Sequence, residues 1–173
     1  HAISVMCFGD VAFNNVISNG LVLDRFGQKM SKRLGNSVDP FEIMQKHGAD
    51  AVRWYMITNS QPWDNLKFDS GGIVEVKQKL FSTLYNIYSF FALYANIDKF
   101  NYSEKTIVVE KRPVLDQWIL SELNSLIISA RSSYEQYDPT SAGRLIQVFV
   151  VDKLSNWYVR LCRRRFWKGD YDF

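Results

Sequence analysis

The chain has 173 residues, of which 47% are hydrophobic, 15% aromatic and 23% charged, and its formal net charge is +3. This composition supplies enough apolar side chains to bury a core, and the charged fraction is ordinary for a globular protein. No apolar run approaches the roughly 18 residues that a membrane helix needs, and no secretory signal opens the chain. We therefore expect a protein with no membrane partner.

The two cysteines, Cys7 and Cys162, lie far apart in the sequence and form no Cys-x-x-Cys pair. This spacing favours free thiols in a reduced, cytoplasmic protein over a disulfide framework or a zinc site. We therefore expect no metal ion to be bound by this chain. The sequence begins at His1 and stops at Phe173 within a continuing pattern, so we expect it to be a piece of a larger protein.

The N-terminal part of the chain combines a short strand signal with a basic loop. Asn19-Gly20 is typical of a turn, and the segment 16–23 could supply a strand on either side of it. Residues 24–37 are predicted to be a loop, because glycine, Asp and Asn interrupt them and four of their side chains are Lys or Arg. No apolar periodicity holds this loop down, so we expect it to be mobile.

The next segment has strong signals for two short helices. Asp39 can cap a helix whose first position is Pro40, and we expect this helix to end at Gly48. A second helix follows at once, with apolar residues on one face: Val52, Tyr55 and Met56. Residues 59–68 are rich in turn-forming side chains and are predicted to be a connector.

From residue 71 onward the pattern changes to long amphipathic helices. Apolar residues recur every three to four positions in three stretches, namely 73–95, a helix opened by Pro113, and a helix that starts after Asp138. A loop is predicted at 98–112. The sequence therefore predicts a mainly α fold with two units, 1–70 and 71–173, the second being an incomplete antiparallel helix bundle.

The basic loop has the features of a phosphate-binding segment. Residues 29–33 are Lys-Met-Ser-Lys-Arg, and glycines lie on both sides. Two lysines three residues apart can both reach a triphosphate, and positioned cations stabilise the negative charge that develops during phosphoryl or nucleotidyl transfer. A mobile loop can close over ATP and then release pyrophosphate. The alternative is a lysine-rich loop that is merely solvated.

The run from Asn19-Gly20 through Lys-Met-Ser-Lys-Arg to Asp39-Pro40 resembles the second signature of the class I aminoacyl-tRNA synthetases. The usual signature ends in Ser, whereas this one ends in Arg33 and keeps both lysines. The resemblance implies the end of a Rossmann-like catalytic core. It implies that Lys32 stabilises the pyrophosphate-forming transition state, with Lys29 as its helper. The ATP-contacting residues that it implies are Gly20, Leu21, Lys29, Met30, Ser31 and Lys32.

Further runs resemble the isoleucine branch of this family. They are 48–53, which the valine and leucine branches share, and 62–68, 91–98, 154–160 and 163–167. This resemblance implies that the whole enzyme activates isoleucine with ATP, accompanied by Mg²⁺, and transfers it to tRNA(Ile). The valine branch is the alternative, because the amino-acid pocket is not in this chain. The first class I signature is also missing, so we expect the chain to be inactive alone, and its parent to be a monomer.

The C-terminal helix carries a cluster of arginines with aromatic residues between them. Residues from about 71 onward resemble the anticodon-binding domain of the family, and this mixture suits phosphates and bases of RNA. The predicted RNA contacts are Arg160, Arg163, Arg164, Arg165 and Trp167, close to Lys168. The alternatives are a solvated helix face for the arginines and core packing for the tryptophans, which we favour for Trp157 because it lies on the apolar stripe.

Two other functional interpretations stay open at this point. A non-catalytic helical RNA-binding module could use the lysine loop only to hold phosphates, and it would bind tRNA in a salt-sensitive manner without any effect of ATP. A purely structural helical domain would bind no tRNA.

Overall fold

The computed structural model describes residues 1–103 and 107–167, and in these ranges the protein is mainly helical with a small parallel sheet. The first three helices are α1 (Ala2–Phe8), α2 (Pro40–His47) and α3 (Ala49–Asn59). The strands are β1 (Val22–Leu23) and β2 (Leu66–Lys67). The remaining helices are α4 (Ser70–Val76), α5 (Ser82–Ile97), α6 (Val114–Glu135), α7 (Pro139–Val148) and α8 (Arg160–Trp167).

Two π-helical segments join neighbouring helices into long continuous ones. Lys77–Phe81 connects α4 to α5, and Phe149–Val159 connects α7 to α8. The three predicted long helices are thereby confirmed, and they begin where Asp69, Pro113 and Asp138 precede the first turn. Within the described ranges, none of the helices has both the length and the apolar character needed to cross a membrane.

The sheet is made of two-residue strands that pair in parallel, Val22 with Leu66 and Leu23 with Lys67. The predicted strand is therefore much shorter than 16–23, and the prediction that 59–68 is only a connector is wrong at β2. Gly20 permits the approach of the two segments, because a Cβ there would lie 2.1 Å from the Asp64 carbonyl oxygen. The Gly20 amide donates instead to the Pro62 carbonyl at 2.8 Å.

The predicted helix pair at 39–59 is confirmed. The Asp39 carboxylate accepts a hydrogen bond from the Phe41 amide at 2.8 Å, and Pro40 occupies the first helical position. Gly48 has a φ of 89°, a value that favours glycine, and it ends α2 and begins α3.

The first core cluster joins α3 to β2 and α4 through Ala51, Tyr55, Leu66 and Ile73. The buried Tyr55 hydroxyl donates to the Lys67 carbonyl at 3.0 Å and accepts from the Asp69 amide and the Asn59 side chain, both at 3.1 Å. Burial raises the pKa of this phenol, so it stays protonated as a donor. The second strand and the start of α4 are thus fixed to α3.

The second core cluster is formed by Leu80, Ile119, Phe149 and Val150 from the long helices. Trp54 of α3 packs against it, with its ring 6.4 Å from that of Phe81 in an edge-to-face arrangement. Helix α3 therefore contributes to both clusters.

The C-terminal end of α3 is capped by side chains of α7. The fully buried Thr140 hydroxyl lies 2.8 Å from the Ile57 carbonyl and 3.1 Å from the Ser60 carbonyl. The Arg144 guanidinium donates to the carbonyls of Thr58 and Asn59 at 3.0 and 3.2 Å. These bonds satisfy carbonyls that a helix end otherwise leaves unpaired. The predicted boundary near residue 70 stays a prediction, and these contacts cross it.

Candidate functional site

The lysine loop, residues 24–37, starts directly after β1 and folds back on it. The Asp24 carboxylate accepts hydrogen bonds from the amides of Phe26 at 3.0 Å and Gln28 at 2.8 Å. The Asp24 amide donates to the Gln28 carbonyl at 2.9 Å, and Gly27 supplies a φ of 84° for this tight turn. Leu23 and Lys29 then form an antiparallel bridge. The loop is thus organised at its beginning by one carboxylate.

Asn36 closes the loop at its other end. Its amide nitrogen donates to the second oxygen of Asp24 at 3.0 Å and to the Lys29 carbonyl at 3.3 Å. Its amide oxygen accepts from the Ser31 amide at 2.8 Å. The bond from Asn36, followed by that from the Gln28 amide, holds the pKa of the Asp24 carboxyl below its usual range.

Ser31 begins a short 3₁₀ turn at Lys32–Leu34, because its hydroxyl accepts from the Arg33 amide at 3.2 Å. Gly35, with a φ of 67°, ends this turn. This organisation was not predicted from the sequence, because the prediction was based only on the absence of apolar periodicity in the loop. Polar side chains do so instead, and the expected mobility stays a prediction.

The two lysines lie on the outside of this organised loop. The side chains of Lys29 and Lys32 are exposed, and within the described ranges neither forms an ion pair. Arg25 and Arg33 are exposed too, and Arg25 lies over the Phe26 ring at 4.6 Å. The loop therefore presents unpaired ammonium groups, the arrangement that a polyphosphate would require.

The backbone near β1 is less available than the resemblance implies. The Leu21 amide donates to the Asn65 side chain at 2.9 Å, and its carbonyl accepts from the Leu66 amide at 2.9 Å. The Gly20 amide is bonded to Pro62. The ATP contact that the resemblance implies for Gly20 and Leu21 stays a prediction, and in this structure both amides have protein acceptors. Met30 is half-buried between the bridged Lys29 and the anchored Ser31.

The predicted RNA-contact arginines have different surroundings. Arg165 faces the protein, where its guanidinium forms a two-point ion pair with Asp116 at 2.7 and 2.9 Å. The Tyr158 hydroxyl donates to the same carboxylate at 2.9 Å. Burial alone would raise the pKa of Asp116, but the bonds from Arg165 and Tyr158 outweigh it and the pKa lies below its usual range. The RNA contact of Arg165 stays a prediction.

Arg160 and Arg163 line a groove of about 280 Å³ between α5 and the helix that ends in α8. The other side chains of this arginine groove are Thr83, Asn86, Ile87, Phe90, Ser155, Asn156 and Val159. The Arg163 guanidinium lies 5.4 Å from the centre of the Phe90 ring. Arg164 is exposed as well. The groove thus offers two guanidinium groups, two amides and an aromatic ring to one ligand.

The favoured interpretation of Trp157 as a core residue is wrong, because this side chain is 55% exposed. It belongs to the π-helical segment, whose wider turn rotates residues away from the apolar stripe that an α-helix would give. Trp167 is 62% exposed, beside the arginines. Lys168 lies outside the described residues. Among the described side chains, no group of three or more His, Cys, Asp or Glu could hold a metal ion.

Comparison with known proteins gives two family matches. Residues 1–69 match the model of the tRNA synthetases class I (I, L, M and V), and residues 116–172 match the anticodon-binding domain of tRNA ligase. A crystal structure of the ternary complex of Agrobacterium radiobacter K84 agnB2 LeuRS, tRNA and LeuAMS has the same fold. It aligns with a TM-score of 0.64 and 22% identity over 87% of this chain and 18% of that one.

Curated relatives match the chain over almost its whole length. The isoleucine–tRNA ligase of Bacteroides thetaiotaomicron is 61% identical over 99% of this chain, that of Cytophaga hutchinsonii is 61% identical over 99%, and that of Thermus thermophilus is 46% identical over 98%. The chain covers 15%, 16% and 16% of these three proteins. It therefore belongs to the class I tRNA synthetases, as a segment similar to the isoleucine–tRNA ligases.

Proposed function

We propose that the chain is the part of an isoleucine–tRNA ligase that supplies the ATP-contacting lysine loop and part of the tRNA-binding surface. The whole enzyme would form isoleucyl-adenylate from isoleucine and ATP, and then transfer isoleucine to tRNA(Ile). In this proposal residues 1–70 end a Rossmann-like catalytic core, and 71–173 belong to an antiparallel anticodon-binding bundle. The observation that carries the proposal is the pair of exposed, unpaired lysines on an organised loop beside β1.

The chemistry of adenylate formation explains why two lysines suit this loop. The carboxylate of the amino acid attacks the α-phosphorus of ATP, and the bond to pyrophosphate breaks. Negative charge accumulates on the oxygens of the departing pyrophosphate, and the ammonium groups of Lys29 and Lys32 would stabilise it. ATP would arrive with Mg²⁺ as part of the substrate, and the lysines would complement that charge.

The arginine groove supports the tRNA part of the proposal. Arg160 and Arg163 would neutralise phosphates, the Phe90 ring and the exposed Trp167 offer surfaces for stacking, and the amides could bond to base edges. Arg165 would contribute indirectly, because its ion pair with Asp116 fixes α8 against α6. Arg164 is exposed on the same helix and would add to the positive charge.

Alanine substitution of both lysines in the full-length enzyme tests the proposal. We expect isoleucine-dependent pyrophosphate exchange to fall by at least about 100-fold, the loss typical of removing positioned transition-state contacts, with isoleucine affinity almost unchanged. Lys46→Ala is the matched control, because Lys46 is an exposed lysine on α2 outside the loop. Normal exchange by the double variant would refute the assignment. Comparing pyrophosphate exchange driven by isoleucine with that driven by valine tests whether the full-length enzyme belongs to the isoleucine or the valine branch.

A further inference from the structure

We infer that Asp24 and Asn36 are positioning residues for adenylate formation, because their hydrogen bonds hold the lysine-bearing segment in the shape that ATP requires. We call this pair the clasp. The inference rests on the proposed function, since it assigns a role in the same reaction. Asn36 bonds to the backbone of Lys29 and Ser31, and Asp24 bonds to Asn36, so both would act through that backbone.

The clasp bonds directly to the segment that carries the lysines. Asn36 accepts from the Ser31 amide at 2.8 Å and donates to the Lys29 carbonyl at 3.3 Å, so its one amide group holds the backbone on both sides of Met30. Both side chains of the clasp are half-buried, whereas the lysines are exposed. The clasp therefore fixes where the lysine side chains leave the backbone and leaves their ammonium groups accessible.

Through Asp24 the clasp is joined to the end of β1. Asp24 follows β1 directly, and its two oxygens accept from the Phe26 and Gln28 amides and from Asn36. The bond between Asp24 and Asn36 spans twelve residues and closes the loop into a ring. A lysine displaced by about 1 Å can lower a rate by about 100-fold, so such a ring has a catalytic consequence.

The clasp also keeps the only carboxylate within the loop away from its four cations. Asp24 is the sole acidic residue in 24–37, beside Arg25, Lys29, Lys32 and Arg33. Its oxygens are occupied by three neutral donors, and it forms no ion pair with those cations in the described structure. A loop in which this carboxylate paired with a lysine would neutralise the charge needed at the phosphates.

The first test uses Asp24→Ala and Asn36→Ala in the full-length enzyme. We expect kcat for pyrophosphate exchange to fall by about 10- to 100-fold. The KM for isoleucine and the transfer of isoleucine from preformed adenylate to tRNA should stay unchanged, which a general folding defect would not allow. Asp39→Asn is the matched control, because Asp39 caps the next helix and asparagine caps equally well.

The second test exchanges the two side chains. Asp24→Asn and Asn36→Asp each place two like groups together, two amides or two carboxylates. In the double variant the residue 24 amide can donate to the residue 36 carboxylate, which can still accept from the Ser31 amide but can no longer donate to the Lys29 carbonyl, so the recovery is partial. We expect the rate of pyrophosphate exchange in the double variant to be at least about tenfold higher than in the poorer single variant. Double-mutant cycles resolve a coupling of this size.

The outcomes separate the clasp from the proposed function. Full activity of the alanine variants would overturn the clasp. So would a double variant, Asp24→Asn with Asn36→Asp, whose pyrophosphate exchange is no faster than that of the poorer single variant. If the lysine substitutions still abolish exchange in that case, the proposed function stands without the clasp. If the lysine substitutions have no effect either, the proposed function fails and the clasp fails with it.

Discussion

Replacing Arg165 with methionine should destabilise the chain by about 2 kcal/mol, because Asp116 would lose its charged partner. Two unit charges about 4 Å apart attract by roughly 4 kcal/mol at an effective dielectric constant near 20. The side chains are 33% and 13% exposed, so we reduce this value by about half for solvent screening. Methionine keeps much of the apolar stem of arginine, so the loss reports mainly on the charge.

Urea unfolding of the 173-residue chain at pH 7, followed by tryptophan fluorescence, measures this loss. With a slope of about 2 kcal/mol per molar urea, the midpoint should fall by about 1 M. Asp116→Asn should lower the free energy of unfolding by less than Arg165→Met, because asparagine can still accept from the guanidinium. The double variant should lower it by less than the sum of the two single effects. An unchanged midpoint combined with weaker tRNA binding would refute the reasoning and favour a direct RNA contact.

The same pair predicts a dependence on pH. The pKa of Asp116 in the folded chain is lower than its ordinary value of 3.8. A lowered carboxyl pKa contributes stability that is fully present above the unfolded value and is lost as the pH falls through the folded value. The difference between wild type and Arg165→Met should therefore be constant from about pH 5 to 8 and become smaller below about pH 4.

Two further predictions concern α7 and α8. Thr140→Val should lower the free energy of unfolding by about 1–2 kcal/mol, because it removes the buried donor to the end of α3, while Thr83→Val on α5 should change it by less than about 0.5 kcal/mol. Urea midpoints decide between these values. Alanine at both Arg160 and Arg163 in the full-length enzyme should weaken tRNA binding and reduce the slope of log affinity against log salt by about two, whereas Arg131→Ala on α6 should leave the slope unchanged.

Local signals in the sequence predicted the helices well. Asp39-Pro40, Gly48 and Asp138-Pro139 each act on neighbouring backbone groups, as the cap of Asp138 on the Ser141 amide at 2.9 Å illustrates. Such capping depends on residues two to four positions apart, so the sequence alone contains the information. The positions of α2, α3 and α7 followed from it.

Contacts between distant residues were not predictable in the same way. The pairing of β1 with β2 joins segments 44 residues apart through strands too short to show any alternation. The bond from Asn36 to Asp24 and the ion pair of Arg165 with Asp116 bring together polar side chains that sequence patterns treat as solvated. Motif resemblance identified the lysine loop, but it could not indicate what holds that loop.

The clasp has a thermodynamic consequence for how the lysine loop can open. Water can replace its hydrogen bonds, and Phe26 and Leu34 of the loop are already 72% and 61% exposed. Opening would therefore uncover little new apolar surface, so its heat-capacity change and its dependence on denaturant are small. Such opening would leave the two core clusters packed, because no residue of 24–37 belongs to either of them.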